Sequence, residues 1–85
     1  MMKREWLITF RTITFAQRAE RILQEGGINT RLHRTPKSLS QRGCGYCLSL
    51  READVPVAIE LLHLRQLRYE KIYVSNANGW EEGVV

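Results

Sequence analysis

Cysteine is scarce in this 85-residue chain, as are proline and the aromatic residues: there are two Cys, two Pro, and aromatic side chains make up 8%. Two thiols exclude the multi-disulfide framework that small secreted domains use in place of a large core. Long apolar runs are missing too. No segment nears the roughly 20 residues of a spanning helix, and the opening MMKREWLITF lacks the apolar centre of roughly 7–15 residues that marks a secretory signal. These absences lead to the expectation of a cytoplasmic, non-membrane protein whose thiols are reduced. Acidic residues are absent from one long stretch. Between Gly26 and Arg51 there is no Asp or Glu, whereas Arg31, Arg34, Lys37, Arg42 and Arg51 all lie within it. Those five charges exceed the net +4 of the whole chain, so the remainder is slightly acidic.

What is present describes an ordinary folded domain. Hydrophobic residues at 44% and charged residues at 26% give enough apolar surface for one core and argue against disorder. The length allows one sheet with a helical layer and leaves no room for a second domain.

The segment EWLITF alternates Trp6, Ile8 and Phe10 against Leu7 and Thr9, the period-2 pattern of a strand. Thr14 and Gln17 have capping-box spacing, and Phe15, Ala19, Ile22 and Leu23 fall on one helical face that ends at Gly26-Gly27. INTRLHR predicts a second strand, with Ile28, Thr30 and Leu32 opposed to Asn29, Arg31 and His33. TPKSLSQRG predicts a loop, and YCLSLR a third strand with Leu48 and Leu50 inward and Cys47, Ser49 and Arg51 outward. Asp54 is placed to cap a second helix, Pro56 suits its first turn, and Val55, Ala58, Ile59 and Leu62 form its apolar face. KIYVS predicts a fourth strand.

The order β-α-β-β-α-β is that of a ferredoxin-like, split βαβ α+β domain, with two helices on one face of a four-stranded antiparallel sheet and the other face open. Residues 1–75 are expected to form this domain and 76–85, NANGWEEGVV, a turn-rich tail. In the tail, Trp80 is a candidate to cover the sheet or a dimer interface.

The chemistry is concentrated in SLSQRGCGYCLSL, where Cys44 and Cys47 stand in C-x-x-C spacing. A redox pair is one reading. Thiol oxidoreductases set such a pair at a helix N-terminus, where the dipole lowers the thiol pKa, whereas here it precedes a predicted strand in mid-chain. Three extended residues span about 10 Å, and a disulfide needs Cα atoms within about 7 Å, so a bridge requires a turn at 44–47. Zinc is a second reading. Cys44, Cys47, His33 and His63 are the available ligands, and their spacing is unlike that of a zinc finger, although two pairs in a homodimer could supply four thiolates. Nucleic acid is a third. Arg31, Arg34, Lys37 and Arg42 suit phosphate, but CLSLR lacks the stacking aromatics of an RNA-binding sheet.

The fourth reading makes one thiol reactive. Glycines at 43 and 45 leave Cys44 uncrowded, and Arg34, Lys37 and Arg42 favour a thiolate and would steer an acidic partner. The plain alternative is that both cysteines are inert strand residues.

WLITF, a helix ending EGGI, the strand NTRLHRTP, and a Ser-containing loop into CGYCLSLRE together resemble the small bacterial selenium/sulfur carrier-like proteins. The resemblance runs from Trp6 to Val74 and is most specific at Pro36, Cys44, Gly45, Leu48 and Leu50. It implies a non-enzymatic carrier without a cofactor. Cys44 would hold a persulfide or selenopersulfide, Gly45 would shape the approach to it, and Cys47 would resolve or protect the adduct. The implied partners are a donor such as a cysteine desulfurase and an acceptor enzyme, with no membrane or nucleic acid. The family loop reads Ser-Ser-Cys-Gly; this chain has Arg42-Gly43 before the cysteine, with Ser38 and Ser40 nearby.

Overall fold

Alternation in the strands and the spacing of small residues on the helices sort the apolar side chains onto one packed seam. The computed structural model describes residues 4–39 and 45–83. The elements run β1 (Glu5–Phe10), α1 (Ile13–Glu25), β2 (Arg31–Arg34), β3 (Tyr46–Arg51), a 3-10 turn (Glu52–Asp54), α2 (Val55–Leu64), β4 (Lys71–Asn76) and β5 (Gly79–Glu82). All strand pairs are antiparallel, in the order β2-β3-β1-β4-β5. Among the described residues the molecule is α+β, with five strands in its sheet rather than the four expected.

The two helices share one face of the sheet. Ala16, Ala19 and Leu23 of α1 and Val55, Ala58 and Leu62 of α2 pack on Trp6, Ile8, Phe10, Leu48, Leu50, Ile72 and Val74. Alanine at the contact lets α1 lie close to the strands. Phe15, expected on the buried face, is 42% exposed, because α1 begins at Ile13 and its inward stripe is set by Ala16 rather than by its neighbour. The cap is also Thr12 instead of Thr14: the Thr12 hydroxyl accepts the Phe15 N–H at 3.2 Å. Asp54 occupies the N-cap position of α2 without a side-chain capping bond and pairs with Arg51 at 3.3 Å.

Both helices stop in the same way. The Gly27 N–H donates to the Gln24 carbonyl (3.0 Å) and the Ile28 N–H to the Leu23 carbonyl (2.9 Å), a Schellman closure with Gly27 at φ 81°. After α2, the Gln66 and Leu67 N–H groups donate to His63 and Leu62 (3.0 and 2.9 Å), so Gln66 takes the left-handed conformation (φ 58°) that a glycine would adopt without strain.

β5 replaces the expected tail. Asn76 and Gly79 bracket a two-residue loop, and the Asn78 N–H donates to the Asn76 side-chain oxygen at 2.9 Å. Trp80 then stands opposite Ser75, and the Gly83 N–H donates to the Ile72 carbonyl at 2.8 Å. β2 is shorter than predicted: it pairs only from Arg31, and Ile28 is buried ahead of it as the residue that closes the α1 stop. Among the described residues, no helix is long and apolar enough to cross a membrane.

Candidate functional site

Antiparallel pairing puts directly opposed residues on the same side of a sheet. With Leu48 and Leu50 facing the helices, Cys47 faces away, opposite Thr9 of β1 and His33 of β2. The predicted parity of β3 therefore holds. Exposure does not follow from it: Cys47 is 0% exposed, and Leu7 and Thr9 on the same side are also buried. The expectation of an open second face fails at these central positions.

The Cys47 thiol has a specific neighbour. Its Sγ lies 3.5 Å from Nδ1 and 3.7 Å from Nε2 of His33. Nδ1 is also 3.1 Å from the Arg34 carbonyl. A carbonyl oxygen only accepts, so Nδ1 is the donor in that contact. Burial pushes the Cys47 thiol up to about 11; the Thr35 hydroxyl opposes that rise, and the Glu5 charge adds to it. Cys47 is therefore a neutral thiol at pH 7. The Thr35 hydroxyl is itself buried and meets no hydrogen-bond partner among the described residues.

The same end of the sheet holds Gly45, the residue after Cys44 in the sequence. The Thr35 N–H donates to the Gly45 carbonyl at 3.1 Å, one step beyond the Arg34–Tyr46 pair. Gly45 has φ 156°, and a Cβ there would meet the Thr35 hydroxyl at 3.4 Å. The Leu39 N–H turns back onto the Pro36 carbonyl at 2.9 Å, and Arg34 and Lys37 are exposed. Of the predicted site residues, Arg34, Gly45 and Cys47 thus gather at one end of β2 and β3, with Lys37 in the following turn. Arg42, Gly43 and Cys44 lie outside the described residues.

Thr35 was missed as a site residue, and His33 was weighed only as a zinc ligand. The signal for His33 was its parity, shared with Arg31 and opposite to Leu32, which is the side Cys47 also takes. Of the candidate zinc ligands, His33 and Cys47 meet, and His63 stands apart: it is exposed at the end of α2, beside a groove of about 410 Å³ that Pro56, Glu60 and Tyr69 also line. No three His, Cys, Asp or Glu side chains cluster as a metal site would require among the described residues.

Residues 5–74 match the family described as "Putative Se/S carrier protein-like". No curated protein and no solved structure matches the chain. The match covers most of the sequence and includes Cys44-Gly45, and the chain belongs to this family.

Proposed function

We propose, from membership of the Se/S carrier-like family, that the chain is a stoichiometric carrier rather than an enzyme, and that Cys44 holds the cargo as a persulfide or selenopersulfide. The observation that carries this reading is the family match across residues 5–74 with Cys44-Gly45 inside it. The surroundings support it. Gly45 is tied to Thr35 at the end of the sheet, and Arg34 and Lys37 are exposed nearby in a segment without acidic residues. Cationic groups stabilise a thiolate, the form that attacks a donor persulfide. They also favour acidic surfaces on the donor, such as a cysteine desulfurase, and on the acceptor enzyme. The working compartment in this reading is the reducing cytoplasm. The strand order β2-β3-β1-β4 suits a ferredoxin-like sheet, to which β5 adds an edge.

Incubation with a desulfurase and cysteine, followed by intact mass measurement, tests the proposal. One added sulfur that disappears in Cys44→Ser is the expected result. An unmodified wild-type chain, or a sulfur that survives in Cys44→Ser, would refute it.

A further inference from the structure

The two edges of the sheet carry opposite charge. β5 ends it on one side with Glu81 and Glu82, and β2 ends it on the other with Arg31 and Arg34, all four exposed. Lys37 follows in the turn after β2, also exposed. The chain's nine acidic side chains all lie among the described residues, and the ion pairs they form take Arg4 and Arg51. Arg31, Arg34 and Lys37 therefore meet no side-chain carboxylate.

The backbone of β2 is only half used. In an antiparallel ladder, alternate residues turn both main-chain groups toward the partner strand, and those between turn theirs away. The Thr35 N–H donates to the Gly45 carbonyl at 3.1 Å, one step beyond the Arg34–Tyr46 pair. By that alternation His33 and Arg31 also turn toward β3, so the Leu32 N–H and C=O and the Arg34 N–H point out of the sheet edge. The Arg34 carbonyl is met by the His33 ring at 3.1 Å. No strand pairs with this edge among the described residues. Charge on an edge strand keeps out other strands of the same sign, and the same charge draws in a strand of the opposite sign.

We propose that the outer edge of β2 is a docking site for an acidic extended segment of a partner protein, which adds a strand to the sheet beside Leu32 and Arg34. The alternation of side chains states what that segment must carry. Arg31 and Arg34 stand on opposite faces of β2, and Leu32 packs against the core on the helix side. The segment therefore needs two acids three positions apart, one for each arginine, with an apolar residue between them opposite Leu32. A second copy of this chain is the poorer occupant. Two β2 edges repel each other, and a β5 edge could pair with β2 only head to tail, in an open chain that never closes. The inference does not rest on the carrier reading, because it uses no thiol.

The probe is an end-blocked, fluorophore-tagged peptide, Thr-Glu-Val-Val-Glu-Thr, titrated onto the full chain by fluorescence anisotropy. The wild type should bind it, and less tightly as salt rises. Arg31→Glu and Arg34→Glu should each weaken binding roughly tenfold, whereas Arg65→Glu, the same charge change past the end of α2, should leave it unaltered. The peptide N-methylated at both valines keeps its charge and loses main-chain donors, so it should not bind. Bound peptide should also slow amide hydrogen exchange at Leu32 and Arg34. Absence of binding would overturn the proposal. So would equal binding of the N-methylated peptide or equal weakening by Arg65→Glu, either of which reduces the edge to a diffuse positive field. Concentration-dependent assembly of the chain alone, abolished by Glu81→Lys and Glu82→Lys, would assign the edge to a second copy and overturn it too. If desulfurase loading fails while the peptide docks, the carrier reading falls and the docking site stands; loading without docking gives the reverse.

Discussion

Cys47 on one face of β3 is as buried as Leu48 on the other, and the two faces are built from different chemistry. On the helix side, Leu48 and Leu50 join an aliphatic and aromatic core with Ile8 and Phe10. On the far side, Cys47 and Thr9 are equally dry, yet the thiol lies against an imidazole and the threonine hydroxyl donates to the Lys71 carbonyl at 3.2 Å. Polar groups in such a place cost stability unless they are paired, and an aliphatic stripe would serve packing better. The difference marks the far side as the place where polar groups replace part of the aliphatic packing.

Mutating the two faces in parallel is the sharpest way to break that comparison. Leu48→Ala should cost about 2–5 kcal/mol in denaturant unfolding, the range for a large-to-small change in a full core. Cys47→Ala removes a single buried atom and should cost about 1 kcal/mol. Equal losses would mean that the far face is as structural as the near one.

Alkaline pH tests the same face without mutation. The Cys47 thiol is raised to about 11 in the folded chain, above the value of about 8.5 for a free thiol. A raised pKa adds stability that is complete below the unfolded value and is lost as pH climbs through the folded one. Stability should therefore fall by roughly 3 kcal/mol between about pH 8.5 and 11. Most of that fall should vanish in Cys47→Ala. A fall that persists in the variant would assign it to other groups.

Two smaller effects address the edges of the fold. A Cβ at Gly83 would collide with the Trp6 ring, so Gly83→Ala should destabilise by about 1–3 kcal/mol if β5 and its exit are part of the packed unit. Gln66→Gly should stabilise by about 1 kcal/mol, because it relieves a left-handed backbone at the end of α2. Thermal melts of both variants check these values.

Much of this arrangement was legible in the sequence. Period-2 alternation located β1, β3 and β4, and it gave the correct parity for Cys47. Thr12 and Thr14 compete for the α1 cap, and the spacing to Gln17 favoured the wrong one. Trp80-Glu81-Glu82 lacks an alternating apolar pattern, so β5 was hidden, although the Asn76 and Gly79 positions carried the turn signal. The opposition of His33 to Cys47 depends on a register set across the connection from Thr35 to Gly45, and no local pattern specifies it. Burial of the far face was equally invisible, since it depends on what side chains from neighbouring strands do together.

The measurement that tests the central claim most directly is the location of the carried atom. After loading by a desulfurase, the chain would be trapped with an alkylating reagent, digested and mapped by mass spectrometry. The account predicts the extra sulfur on Cys44 in the wild type and none in Cys44→Ser. Extra sulfur on Cys47, or on neither residue, would contradict it.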